Sequence, residues 1–309
     1  MIQVFLSFWI LSALLLVREQ KIVRIIIYLS IFSLITSVCF LLFAAPDVAM
    51  AEAAISTFAT IFFVVCLEKY YGLKADASNG SPVMGRAANV KKRIIPLGFT
   101  ILLFVLFICF IPGDAASTYL KDQYVSMFLH DVGGENAVTA IYLGYRMYDT
   151  LFEALMLLVS VVAVVHLSWY SEISVTEGKR SDIDRSAIAS RTIRVICPLI
   201  LLFGVYLIMN GHLTPGGGFQ GGVAIASFFI CRYMIYDIYD TQAVKIIAME
   251  KLIYAAIVLL PVFFIFLGAY AYLPQYRNTY LVMMNSLIGM KVTCGFFIIF
   301  YRYIAFEKR

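Results

Sequence analysis

The sequence is short of charge. Of 309 residues only 14% are Asp, Glu, Lys or Arg, while 62% are hydrophobic. A soluble domain carries about a quarter charged residues, so these few cannot build a water-facing surface. Motifs that carry chemistry are also missing. There is no C-x-x-C pair: Cys39, Cys66, Cys109, Cys197, Cys231 and Cys294 stand alone, mostly inside apolar runs. They read as small packing residues and argue against iron–sulfur or haem attachment. No metal-ligand cluster, Ser-His-Asp constellation or Gly-Lys-Ser/Thr phosphate loop occurs. No cofactor or metal is therefore expected, and no catalytic residue is assigned. The alternating ten-residue segments of a membrane barrel are absent too. The start, Met1-Ile2-Gln3-Val4, has no basic n-region and no cleavage site follows, so it reads as a retained helix.

What is present is a series of apolar blocks about 17–25 residues long, enough to cross a bilayer as helices. Backbone polar groups in lipid must be satisfied internally, which makes helices the expected form. The fold class expected is all-α: a polytopic membrane protein with about nine spans, at 2–17, 22–43, 47–68, 95–111, 149–169, 191–208, 220–240, 247–272 and 280–302. With the N-terminus outside, 20 of the 24 basic residues fall in inside loops and three (Lys121, Arg146, Arg277) outside. The positive-inside rule then puts the C-terminus in the cytoplasm and the chain in the cytoplasmic membrane. This one-sided distribution means that the net charge of +5 is no nucleic-acid footprint. Polar stretches divide the chain into a three-span unit (1–72), a linker (73–94), a two-span unit with an outer loop (95–170), a second linker (171–187) and a four-span unit (188–309).

Ionisable residues within spans cost about 2.5–3.5 kcal/mol each at mid-helix on insertion scales, so each is a functional candidate. Glu52 sits among Ala51, Ala53 and Ala54 and reads as a proton or cation carrier, or as a protonated carboxyl that joins helices. Asp47 follows Pro46, where a carboxylate also suits a helix start. Asp149 and Glu153 share a helix face, and Arg146 lies one turn before Asp149; this is a cation entry or a structural ion pair. His166, about 25 Å further along that helix by its rise, could relay protons or be a satisfied interior histidine. Lys291 lies near mid-membrane, where an ammonium needs a carboxylate or loses its proton. Gly211 to Gly222, containing His212, Pro215, Gly216, Gly217 and Gly218, formally matches G-x-G-x-x-G. No soluble strand precedes it, so a dinucleotide site is rejected. Its glycines suit tight turns and close packing at the membrane edge, with His212 a titratable member of an ion vestibule.

Two of these segments are diagnostic. Gly211-His212-Leu213-Thr214-Pro215-Gly216-Gly217-Gly218-Phe219-Gln220-Gly221-Gly222, with Asn285-Ser286-Leu287-Ile288-Gly289-Met290-Lys291, resembles the MnhB subunit of Mrp-type (Mnh) sodium/proton antiporters and the MbhF subunit of membrane-bound hydrogenases. Ala45 to Ala54 resembles the MbhD-like module. Asn136 to Ile141 with Tyr145 to Glu153 resembles the MbhE-like module, with Met147 in place of the usual glycine. The resemblance implies a fusion of three modules and a non-catalytic subunit of a multisubunit Na⁺/H⁺ antiporter. Its ion path would involve Asp47, Glu52, Asp149, Glu153, His166 and Lys291, and its partners would be other membrane subunits. Two alternatives remain open: an ion-pumping subunit of a ferredoxin-linked hydrogenase or related redox complex, and a structural scaffold.

Overall fold

A computed structural model describes residues 2–71, 98–99, 101–103, 105–106, 118–167, 187–235, 243–266 and 276–305. Within them all regular structure is helical. The elements are α1 (Ile2–Arg18), α2 (Ile22–Leu42), α3 (Pro46–Tyr71), α4 (Thr118–Asp131), α5 (Ala137–Ala140), a π-helical turn (Ile141–Tyr145), α6 (Met147–Leu167), α7 (Ala187–Asn210), α8 (Gly218–Ile235), α9 (Ala243–Phe266) and α10 (Arg277–Ala305). Six described helices are long and apolar enough to cross a membrane, within α2, α3, α6, α7, α9 and α10; α1 is shorter. Of the expected span at 95–111, only helical residues at 98–99, 101–103 and 105–106 are described. The linker 73–94 lies outside the described residues, as does all of the second linker except residue 187.

Residues 1–72 and 128–309 form one compact unit and residues 73–127 another. In the first unit, a tight corner sets the geometry of α2 and α3. Ala44 adopts φ 55°, and the Ala45 N–H donates to the Phe40 carbonyl, closing the last turn of α2. This left-handed position is normally taken by glycine. Pro46 then opens α3, because its fixed φ suits the first helical position. The corner leaves Asp47 in the first turn of α3.

Glycines set the packing of α7, α8 and α10. A Cβ on Gly221 would come within 2.6 Å of the Gly204 carbonyl oxygen, and one on Gly222 within 2.7 Å of that of Gly289. Small residues let membrane helices approach this closely. Aromatic rings fill the space toward α3, where Phe58 meets Phe296 edge-on at 4.6 Å and Phe62 lies 6.2 Å from Phe300. The core runs through Phe58, Leu143, Val223, Ile230, Ile257, Leu281, Met284 and Val292.

Two features differ from the sequence expectation. The outer loop expected over 112–136 contains helix α4 at Thr118–Asp131. The fifth span starts earlier than residue 149, because α5 and the π turn run into α6 with only Arg146 between them. At the end of α4, Asp131 is held below the usual carboxylate range by the His130 side chain and by the Tyr145 hydroxyl, which donates at 2.9 Å.

Candidate functional site

The site is built from two connected parts. The outer part is a polar network around the glycine-rich loop between α7 and α8. Asn136 is its centre. Its side-chain oxygen caps α5 by accepting from the N–H groups of Val138 (3.0 Å) and Thr139 (3.4 Å). Its amide donates to Asp47 Oδ1 (3.0 Å) and to the carbonyls of Gly211 (3.1 Å) and Thr214 (3.0 Å). Asp47 Oδ1 also accepts from the Gly216 N–H at 3.0 Å. The buried Asp47 therefore anchors a loop 169 positions away in sequence. The Thr139 hydroxyl donates to the Gly211 carbonyl at 2.6 Å. Tyr142 donates to Asn285 Oδ1 at 3.0 Å, and the same oxygen accepts from the Gly218 N–H at 3.1 Å. The buried Asn285 Nδ2 has no partner among the described residues. Gly217 has φ 152°, and a Cβ there would collide with the Tyr142 hydroxyl.

His212 contributes mainly its backbone: its carbonyl accepts from the N–H groups of Glu135 (2.8 Å) and Asn136 (3.0 Å). Its ring lies 3.1 Å from the Met209 carbonyl. Pro215 is exposed, whereas Gly216, Gly217 and Gly218 are buried.

The Asn136 amide group yields a direct prediction. Asn136→Leu strips a donor from Asp47, Gly211 and Thr214 at once, and each buried acceptor left unpaired costs about 1–3 kcal/mol. Thermal unfolding of the purified protein in detergent should drop markedly. A midpoint equal to that of the unsubstituted protein would contradict the role given to this side chain.

The inner part lies about 9 Å further along α10, six residues beyond Asn285 by helical rise. Lys291 and Glu250 form an ion pair in which Lys291 Nζ donates to Glu250 Oε1. Lys291 is 1% and Glu250 0% exposed. The carboxylate that the sequence demanded for Lys291 is thus supplied by α9. Nζ also sits 5.4 Å from the centre of the Tyr254 ring, within cation–π range. Glu250 Oε2 is buried without a partner among the described residues.

Beside the pair is a cavity of about 20 Å³, lined by Thr150, Glu153, Phe219, Ile257, Lys291 and Val292 among others. A water needs roughly 10–15 Å³ of such space. The Thr150 hydroxyl donates to the Tyr142 carbonyl at 2.5 Å. That carbonyl belongs to the π turn, a distortion frequent at functional sites. Tyr142 therefore touches the outer network through its hydroxyl and the cavity wall through its carbonyl. The Met147 sulfur, at the position where the MbhE-like motif has glycine, accepts from the Tyr280 hydroxyl at 3.3 Å.

Of the residues expected to form a path, Glu153 and Lys291 are brought to one cavity. Asp47 is brought to the loop network. Glu52 is held apart from both, accepting a hydrogen bond from Ser33 of α2. Asp149 pairs with Arg146 at 2.5 Å, and both side chains are more than half exposed on this chain. His166 is exposed at the far end of α6. Sequence reasoning did not single out Glu250, Thr139, Tyr142 or Thr150, nor a side-chain role for Asn136. Glu250 had a usable signal: a buried lysine needs an acid at a matching depth on another helix.

Apolar helices of this length carrying a buried ion pair define a multi-pass membrane protein. Residues 188–301 belong to the MnhB family, described as the domain related to the MnhB subunit of Na⁺/H⁺ antiporter, and residues 7–71 to the MbhD family, a subunit of MBH. The chain is 29% identical over 145 residues to the putative antiporter subunit mnhA2 of Staphylococcus saprophyticus, covering 44% of this chain and 16% of that one. It is 36% identical over 81 residues to the putative antiporter subunit mnhB2 of Staphylococcus haemolyticus, covering 24% of this chain and 57% of that one. It spans less than a quarter of the length of several curated relatives (16%, 18% and 22%). Its fold resembles a chain of the Mrp complex from Dietzia, with a TM-score of 0.76 and 16% identity over 97% of this chain and 34% of that one. It also resembles a chain of an archaeal membrane-bound sulfane sulfur reductase, with a TM-score of 0.56 and 26% identity over 68% of this chain and 97% of that one.

Proposed function

We propose that this chain is a non-catalytic membrane subunit of a multisubunit Na⁺/H⁺ antiporter of the Mrp type, and that it contributes to the ion path. The observation that carries this reading is the buried Lys291–Glu250 pair beside a water-sized cavity that Glu153 also lines. Charges so costly to bury in a membrane have a reason to be there when they move or bind ions. Glu153 and Lys291 form the centre of the path. Asp149, with Arg146, marks one end of α6 and His166 the other. Asp47 holds the loop that shapes the outer approach, and Glu52 is a second carboxyl on the α2–α3 side. The charge distribution favours an outside N-terminus, a cytoplasmic C-terminus and residence in the cytoplasmic membrane. The three-module division, at 1–72, 95–170 and 188–309, belongs to the same reading. Partners are the other membrane subunits of such a complex.

The test is ΔpH-driven sodium uptake by the purified complex in proteoliposomes. Glu153→Gln and Lys291→Met should each remove most of the flux, and unchanged flux in both would rule the path assignment out. A second reading is an ion-pumping subunit of a redox complex. It is favoured by the 26% identity to the sulfane sulfur reductase chain, of which 97% is covered. The proteins that co-purify with the chain decide between the two.

A further inference from the structure

Lys291 has two possible acids but is shown on only one. It bonds Glu250 of α9 on one side and lines the cavity on the other, where Glu153 of α6 forms part of the opposite wall. Three features make the Glu250 pairing an incomplete well. Buried ion pairs persist when the remaining lone pairs are satisfied, yet Glu250 Oε2 has no partner among the described residues. The cavity gives the ammonium free space, and a tightly packed wall would not. A lysine stem is long and flexible, and the Thr150 hydroxyl and a single water could help solvate the ammonium as it crosses. The other ionisable neighbours are Tyr254 on α9 and Cys294 on α10 itself. From α3 and α8 the described neighbours are apolar side chains and glycines, including Phe58, Phe219 and Gly222.

We propose that Lys291 is a two-position cation that exchanges between Glu250 and Glu153 across this cavity, so that Glu153 takes up a proton or cation only while Lys291 is turned to Glu250. This deepens the antiporter reading and rests on it for its physiological meaning, but the exchange itself is a property of the side chains. When Lys291 moves to Glu153 its positive charge displaces the proton or cation there. Glu250, left buried and anionic, takes up a proton in compensation. The chain would thus couple two carboxyls through one ammonium.

The experiment uses the intact complex and dicyclohexylcarbodiimide, an apolar reagent that modifies protonated carboxyls within membranes. Modification of the peptide containing Glu153 is followed by mass spectrometry. In the unsubstituted complex Glu153 should be labelled. Glu250→Gln removes the competing anion, so Lys291 should settle on Glu153 and slow its labelling about tenfold, the effect of one pH unit on a protonated fraction. Glu250→Gln combined with Lys291→Gln should restore labelling. Glu250→Asp keeps the charge but draws it back, and should give an intermediate rate. If Glu250→Gln fails to assemble, the Glu250→Asp rate decides. Glu153 labelling at the original rate in the assembled Glu250 variants would overturn the exchange. Labelling that follows the expected pattern, with sodium flux indifferent to Glu153→Gln, would keep the exchange and remove the antiporter reading.

Discussion

Lys291→Met should destabilise the helix bundle by about 3–5 kcal/mol, whereas Lys291→Met with Glu250→Leu should recover most of that loss. The asymmetry follows from burial. Removing one partner leaves an uncompensated charge at a site that is 0% exposed, while removing both leaves an apolar interior of similar volume. Each partner alone is therefore needed by the other more than either is needed by the fold. Unfolding of the purified complex in a graded detergent series would measure both variants. Equal losses in the single and double variants would mean that the pair is not coupled as the geometry requires. The double variant should nevertheless be inactive in sodium uptake, because stability and transport depend on the pair for different reasons.

The second large effect is expected at Gly218. A Cβ there would collide with the backbone carbonyl oxygen of Asn285 and come within 2.8 Å of Ile288 Cβ. A backbone oxygen cannot rotate away, so α8 must separate from α10. Overpacking costs about 1–3 kcal/mol, and the separation would also stretch the 3.1 Å bond from the Gly218 N–H to Asn285. Gly218→Val should therefore reduce both the unfolding midpoint and the yield of assembled complex. Gly98→Ala is the matching control, since a Cβ there meets nothing within 4 Å. Comparable losses in the two variants would point to a general sensitivity to added bulk and away from helix approach.

The helices were legible because the bilayer sets their length. The expected span at 22–43 is observed as Ile22–Leu42, and that at 280–302 as Arg277–Ala305. Hydropathy reports where lipid begins, and helices run past that point, which is why α3 continues to Tyr71. Helix α4 escaped notice because Thr118–Asp131 is neither apolar nor strongly amphipathic. The demand of Lys291 for a carboxylate was legible, but its owner was not. Glu250 stands next to Lys251 near the start of its helix, where adjacent opposite charges resemble an exposed cytoplasmic end. Only the rotation of α9 about its axis turns the acid inward. Asp47 and Asn136 are 89 positions apart, and nothing local in either segment announces that they meet.

The Asn136 node also bears on how the chain is held in register. Its amide touches α3 through Asp47 and the loop before α8 through Gly211 and Thr214, while its oxygen caps α5. Hydrogen bonds of defined direction at one point thus specify how three sequence regions align. The covalent connections between those regions then need supply only proximity, raising the local concentration of each piece for the others. A polypeptide cut within 73–94 or 171–187 would retain the same address code at Asn136. Separate chains bearing these three surfaces would find the same register by the same hydrogen bonds.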